Sequence, residues 1–172
     1  MDKPEQAWMV RAGNDNELIE AVEEKGAVAI GWPRMGDLSE LSTREEFKER
    51  YRQEYPEDSE NRMAVNAGQL YRFKVKIQEG DYVLTYDQSD RIILVGLVQG
   101  DYRYAPEEFG GHYRQVRDVD WIERIPRDEF SPPAKNSLGS SLTVFRVNEH
   151  LAEIHRLTTG AKLPAELEEE EE

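Results

Sequence analysis

The chain has 172 residues, of which 38% are hydrophobic and 34% are charged. This length suits one domain with its own core and excludes a multidomain enzyme. The absence of cysteine excludes disulfides, thiolate chemistry and cysteine-based zinc sites, and it favours a cytoplasmic protein. The longest uncharged run near the start, residues 26–33, is far shorter than the roughly 20 apolar residues that span a bilayer, so no membrane partner is expected.

The net charge of −14 is unevenly distributed. Residues 1–60 hold 8 basic and 16 acidic side chains, residues 61–127 hold 10 of each, and residues 128–172 hold 4 and 10. Six of the last seven residues are glutamate, so we expect a domain at residues 1–157 and a disordered acidic tail or linker at residues 158–172. The acidity therefore confines a nucleic-acid surface to a local basic patch rather than excluding it.

Apolar periodicity predicts alternating strands and helices. Strands are predicted at residues 7–11, 27–32, 82–86, 92–98, 116–122 and 142–147. Helices are predicted at residues 17–25, 44–55, 62–77 and 149–157. Residues 100–113 lack a period and predict a long loop, while residues 127–130 and 132–133 predict turns. The expected fold class is mixed α/β (α+β), with a strongly curved sheet or small barrel of five or six strands and helices outside it.

Catalytic motifs are scarce in the sequence. It holds no phosphate-binding glycine loop, no nucleophile elbow and no histidine pair at metal-ligand spacing. Two Glu-x-Lys tripeptides, at residues 23–25 and 46–48, match part of a magnesium-dependent nuclease signature. Both fall on predicted charged helices, where a solvated face explains them. We therefore expect a non-catalytic binding domain that uses no metal and no cofactor.

Aromatic and amide side chains collect near the predicted ends of loops. Trp32 closes the second strand, where its indole can form a flat apolar wall. Asn14 and Asn16 lie at the head of the first helix, where an amide either caps the helix or reads the hydrogen-bonding edge of a base. Four aromatic residues of the long loop can each pack in the core or provide a second stacking wall: Tyr102, Tyr104, Phe109 and Tyr113.

Basic residues near these segments are candidate phosphate contacts, with an ordinary solvated face as the alternative. They are Arg11, Arg34, Arg72, Lys74, Lys76, Arg114 and Arg117.

Several segments, in their order along the chain, resemble a known family. They are residues 8–13 (WMVRAG), 26–32 (GAVAIGW), 80–86 (GDYVLTY), 93–98 (ILVGLV) and 136–139 (NSLG), with helices between them. Together they look like the EVE and YTH branch of the PUA superfamily. More closely, they resemble the N-terminal reader domain of Mrr-type (type IV), modification-dependent restriction endonucleases, over roughly residues 7–147.

The resemblance implies a PUA/EVE-like fold and a reading function. In the family, a modified base is flipped out of its stack into an aromatic cage and read on its edges. Trp32 corresponds to the first cage wall, and Asn14 and Asn16 correspond to base-reading amides. The second wall comes from the loop after the Gly96 strand, while Trp121 matches an aromatic residue that packs rather than stacks.

The partner implied by the resemblance is DNA that carries methylated or hydroxymethylated cytosine, or methyladenine, read to direct restriction in phage defence. Single-stranded RNA with methyladenine and a partner protein are the alternatives. In the relatives a nuclease domain follows the reader, whereas this sequence ends in a poly-glutamate run. Either the nuclease was removed, or the reader acts alone or with a nuclease in trans. The acidity predicts binding that is weak or highly salt-sensitive unless a basic patch is well focused.

Overall fold

A computed structural model describes residues 4–160, and these residues form seven strands and five α-helices. The strands are β1 (Ala7–Val10), β2 (Ala27–Ile30), β3 (Tyr82–Asp87), β4 (Ile92–Val98), β5 (Arg103–Tyr104), β6 (Gln115–Pro126) and β7 (Val144–Arg146). The helices are α1 (Ile19–Lys25), α2 (Arg44–Glu54), α3 (Glu60–Tyr71), α4 (Pro132–Leu138) and α5 (Leu151–Thr159). The mixed α+β class predicted from periodicity is confirmed.

The sheet is strongly curled, and strand β6 is the reason. Strands follow the order β2-β6-β4-β3-β1-β7, with the two-residue β5 beside β6, and β1 and β3 are the parallel pair. The first part of β6 pairs with β2, and its later part pairs with β4 across a bulge next to Gly96. A Cβ on Gly96 would lie 2.3 Å from Cγ1 of Val119, so glycine lets the two strands approach at the bend.

Helices cover both faces of the sheet, so the strands bury side chains in two cores. Along β1, Trp8 and Val10 enter a core shared with α1, α2 and α3, while Ala7 and Met9 enter a core shared with α4 and α5. All four residues of β1 are buried, as are all four of β2. This explains why the early strands lack apolar–polar alternation.

Residues 132–133 differ from the prediction, because the Pro132-Pro133 pair opens α4 instead of forming a turn. Ser131 caps this helix by accepting a hydrogen bond from the Ala134 N–H at 3.2 Å. Proline is tolerated in the first turn because its missing N–H has no helical partner there.

Two further boundaries differ, at the third helix and near the carboxyl end. The helix predicted at residues 62–77 is α3 followed by a π-helical turn, Arg72–Lys76. Helix α5 continues through Thr159, two residues into the predicted tail, and residues 161–172 of that tail lie outside the described residues. Within residues 4–160, no helix has both the length and the apolar character needed to cross a membrane.

Candidate functional site

A pocket of about 510 Å³ opens where strands β1 and β2 end. Five residues singled out in the sequence line it, and they come from three separate segments: Arg11, Asn14, Trp32, Arg34 and Tyr113. The volume lies within the range of about 300–1,000 Å³ that is typical of small-molecule sites. We call this site the Trp32 pocket.

Trp32 holds a rare backbone conformation at the edge of the pocket. Its φ of 59° and ψ of 56° lie in the left-handed region, although a residue before proline is normally extended. Such a conformation costs about 1–3 kcal/mol and is found preferentially at binding and active sites. The indole is half-buried, packs against the core and lines the pocket.

Tyr113 supplies a second aromatic surface. Its ring is buried, and its hydroxyl accepts a hydrogen bond from the Asn14 N–H at 2.9 Å and donates one to the Glu17 carboxylate. Burial, assisted by that carboxylate, raises the pKa of Tyr113. Gly13 permits the close packing here, since its φ is +78° and a Cβ would lie 2.8 Å from Cγ of Leu18 and 3.2 Å from Cζ of Tyr113.

A third aromatic residue, Tyr55, lines the pocket and was missed by the sequence analysis. Its hydroxyl accepts the Arg34 N–H at 3.1 Å, and its ring stacks on Tyr51 with centroids 4.7 Å apart. The Arg34 guanidinium lies 4.0 Å from the Tyr55 ring centroid and pairs with Glu57. The only sequence signal for Tyr55 is its position before Pro56, which marks the end of a helix and carries no functional meaning.

Polar groups also converge on the Trp32 pocket. Asn14 is exposed, and its side-chain amide makes no hydrogen bond with any residue between 4 and 160, so its donor and its acceptor are both available. Asp15, Ser141, Thr143 and His112 line the pocket as well, and none of them was assigned a role from the sequence. The pocket therefore offers flat apolar walls together with an unengaged amide.

Asn16 is excluded from base reading, which corrects the prediction. Its Nδ2 donates to the carbonyl oxygen of Tyr86 at 2.7 Å, and its Oδ1 accepts the Gln88 N–H at 2.9 Å. Both ends of the amide are therefore used to hold the β3–β4 hairpin. Neither Asn14 nor Asn16 caps α1, because residues 14–16 form a separate 3-10 turn and α1 begins at Ile19.

Three of the four loop aromatics lie outside the Trp32 pocket, contrary to their candidate role as a wall. Phe109 is buried in the core, with 5% of its surface exposed. The hydroxyl of Tyr102 bonds a backbone N–H of the 33–43 loop and a glutamine of β6, and that of Tyr104 accepts a hydrogen bond from an arginine. Tyr113 is the loop aromatic that lines the pocket. Trp121 packs against the core, as expected.

Arg117 was predicted to contact phosphate, and that prediction is wrong. The side chain is 2% exposed. Its guanidinium donates to the carbonyl oxygens of Phe73, Ile77 and Gly100 at 2.9, 2.8 and 2.8 Å. Burial lowers the pKa of Arg117. It holds the π-helical turn and the loop after β4 against β6, where no phosphate can reach it.

The remaining basic candidates fall into two groups. Arg11, Lys74 and Arg114 donate to backbone carbonyls and so fix loops, although Arg11 also lines the pocket. Arg72 and Lys76 lie outside the pocket, in a separate cleft.

Both Glu-x-Lys tripeptides lie on helices, as predicted. One lies at the end of α1, and the other lies in the first turn of α2, where Glu46 forms a capping box with Thr43 and Phe47 is buried. Helix capping and core packing account for the second tripeptide.

The model of one protein family, described as a domain of unknown function (DUF8426), matches residues 8–148. The chain belongs to this family. The range matched by DUF8426 includes every residue named here as lining the Trp32 pocket. No curated protein matches the chain. Among solved structures, the chain is similar to the X-ray crystal structure of protein Atu2648 from Agrobacterium tumefaciens, with 15% identity, a TM-score of 0.38, and coverage of 92% of this chain and 99% of that one.

Proposed function

We propose that this protein is a non-catalytic reader of DNA that carries a modified base, and that the flipped base occupies the Trp32 pocket. The observation that carries the proposal is the meeting of Trp32 and Tyr113 with the unengaged amide of Asn14 around one open pocket. Tyr55 completes the lining, although its ring already stacks on Tyr51 and packs against the Arg34 guanidinium. Aromatic faces stack on a flat base, and an amide can pair with its hydrogen-bonding edge.

Base flipping is part of the proposal because the edge of a stacked base cannot enter a pocket at the end of two buried strands. Enzymes and readers that act on one base extrude it from the duplex, at a cost of a few kcal/mol in unstacking and unpairing. Stacking against aromatic side chains returns about 1–3 kcal/mol per base. Contacts that form only with the flipped base then discriminate between bases.

The base proposed is methylated or hydroxymethylated cytosine, or methyladenine, and the role proposed is that of a specificity module in modification-dependent restriction. The resemblance of residues 7–147 to Mrr-type reader domains of the EVE and YTH branch supports this role. A nuclease would act in cis or in trans, since the pocket residues include no positioned nucleophile with its base.

The test is fluorescence-anisotropy binding at low salt to one duplex prepared with unmodified cytosine, methylcytosine, hydroxymethylcytosine or methyladenine. We expect tighter binding to one modified duplex than to the unmodified one. A single-stranded RNA that carries methyladenine is included in the same series. Preference for that RNA would replace DNA with RNA as the partner, and absence of binding to every nucleic acid would overturn the reader in favour of a protein-interaction module.

A further inference from the structure

A second concave surface, of about 740 Å³, lies beside the edge strand β7 and has a very different character. Four cationic side chains line it: Arg44, Arg72, Lys76 and Arg146. They come from the first residue of α2, from the π-helical turn after α3 and from the last residue of β7. We call these four residues and the surface between them the arginine cleft.

The cations of the arginine cleft are held close together. A Cβ on Gly68 of α3 would lie 3.4 Å from Nη1 of Arg44 and 3.9 Å from both terminal nitrogens of Arg72, so the two guanidinium groups share the surface above this glycine. Two of the cations lie over the Tyr71 ring, with the Arg44 guanidinium 4.8 Å and the Lys76 ammonium 5.7 Å from its centroid. Cation–π contacts place these charges without neutralising them.

No carboxylate within residues 4–160 forms an ion pair with the cations of the cleft. None of its four cations makes an ion pair or donates a hydrogen bond there, whereas Arg34, Arg103 and Arg124 each pair with a carboxylate. Glu149 lines the cleft, but its carboxylate lies 3.7 Å from Nε2 of His150. Burial, followed by the charges of Arg44 and Arg146, lowers the pKa of the half-buried Arg72. Mutual repulsion of this kind is relieved when an anion binds among the cations.

The arginine cleft and the Trp32 pocket lie on opposite sides of one chain segment, residues 141–146. Ser141 and Thr143 line the pocket, while Leu142, Phe145 and Arg146 line the cleft, so the two sites share this segment. Gln69 of α3 fixes this segment, because its Oε1 accepts the backbone N–H groups of Thr143 and Val144 at 2.7 and 3.1 Å. From Thr143 to Arg146 the chain spans at most about 10 Å, which matches the axial rise of about three nucleotides in one strand of duplex DNA.

We propose that the arginine cleft binds backbone phosphates of the same nucleic-acid strand whose base occupies the Trp32 pocket, with Arg44 and Arg146 as phosphate contacts beside Arg72 and Lys76. The proposal rests on the proposed function for the identity of the strand. Guanidinium groups match phosphate oxygens in charge and in fork geometry. A focused cationic cleft lets a protein with a net charge of −14 hold a polyanion at one face while its other faces repel it.

The test compares two double variants that remove equal charge. Arg44→Gln/Arg146→Gln changes two exposed residues of the cleft, and Arg62→Gln/Arg156→Gln changes two arginines that do not line it. Affinity for the modified and the unmodified duplex is measured from low to moderate salt. The slope of log affinity against log salt falls by about 1 for each phosphate contact that is lost.

We expect the cleft variant to flatten this slope by about 2 and to weaken binding to both duplexes by the same factor, with an unchanged preference for the modified base. The control variant should alter the slope much less. If the cleft variant keeps the wild-type slope while wild type still selects a modified duplex, the cleft proposal is overturned and the reader proposal stands. If wild type binds without preference and the cleft variant flattens the slope, the cleft proposal stands and the reader proposal fails.

A second measurement separates nucleic acid from free phosphate compounds. Titration with inorganic phosphate is followed by NMR at the guanidinium N–H signals of Arg72 and Arg146. Saturation below millimolar phosphate without any binding of nucleic acid would overturn the proposal, because the cleft would then serve a small phosphate ligand. Weak, unsaturated shifts together with strong binding of DNA agree with a backbone subsite.

Discussion

The Trp32 pocket and the arginine cleft lie on either side of residues 141–146, yet they are built in opposite ways. In the pocket, the Tyr55 and Tyr113 hydroxyls and the Arg34 guanidinium are already bonded to neighbouring groups, and the backbone at Trp32 is strained. In the cleft, four cations have no carboxylate partner among residues 4–160. The polar groups of these pocket residues are therefore already engaged, whereas the charged groups of the cleft have no carboxylate partner. Selectivity and affinity should therefore be separable by mutation.

The largest effect is expected from Trp32→Ala. Removal of the indole takes away stacking of about 1–3 kcal/mol, so preference for the modified duplex should fall roughly 5- to 150-fold while the salt slope stays at the wild-type value. Anisotropy titrations with matched duplexes measure both quantities. Tyr104→Ala is the control, because Tyr104 is a half-buried aromatic residue outside the pocket. Full selectivity in Trp32→Ala would mean that the indole is not a cage wall.

A smaller effect is expected when the packing beneath the pocket is disturbed. Gly13→Ala and Gly36→Ala both place a side chain at positive φ, +78° and +65°, but a Cβ at Gly36 meets nothing within 4 Å. The Cβ at Gly13 would press on Leu18 and Tyr113, so this variant should lose about 1–3 kcal/mol more than the control. Thermal melts should show a Tm lower by roughly 2–12 °C. Equal shifts in the two variants would show that backbone strain alone matters at Gly13.

Tyr113→Phe separates the wall of the pocket from its hydrogen bonds. The ring remains, but the Asn14 N–H and the Glu17 carboxylate each lose a partner. We expect a loss of about 1–2 kcal/mol in the free energy of unfolding, measured with denaturant, and an unchanged preference for the modified duplex. Tyr104→Phe, which removes one longer hydrogen bond of 3.2 Å, serves as the control. A fall in preference as large as that of Trp32→Ala would assign the hydroxyl a direct role in reading the base.

The smallest effect is expected from the ionisation of Tyr51, which stacks on the pocket residue Tyr55 and alters stability only at alkaline pH. Burial and a hydrogen bond to Asp58 raise the pKa of Tyr51 to about 12. The unfolded chain releases this proton near pH 10, whereas the folded chain holds it until about pH 12. The contribution of Tyr51 to the free energy of unfolding is therefore fully present below about pH 10 and is lost as the pH rises toward 12.

Denaturant unfolding at pH 8 to 11 measures this fall, which should be smaller in Tyr51→Phe. A fall of equal size in Tyr51→Phe would assign the alkaline loss of stability to other tyrosines.

Short-range signals in the sequence were enough to predict most of the fold. Periodicity located the strands, and the end of β2 placed Trp32 at a strand terminus. The Pro132-Pro133 pair was misinterpreted because proline begins helices as well as turns. The helix is identified by its N-cap, in which the Ser131 side chain accepts a hydrogen bond from the Ala134 N–H. The aromatic loop misled in a similar way, since composition does not show that Phe109 points into the core while Tyr113 lines the pocket.

Only two of the four cations of the arginine cleft were predicted from the sequence as phosphate contacts. Arg72 and Lys76 were candidates because they are close together in the chain. Arg44 and Arg146 join them through the packing of α2, α3 and β7, and contacts between residues about 100 positions apart leave no periodic signal. The prediction for Arg117 failed for the same reason, because its carbonyl partners belong to the π-helical turn and the loop after β4.

The hydrogen bonds from Gln69 to the edge strand have a consequence for the behaviour of the protein at high concentration. An open sheet edge offers unpaired N–H groups to the strands of other molecules, which is a common route to aggregation. Here the Gln69 amide occupies the N–H groups of Thr143 and Val144, and β7 itself has three residues. The short strand and its two occupied N–H groups disfavour strand addition at this edge, which leaves the neighbouring groove to a ligand rather than to further copies of the chain.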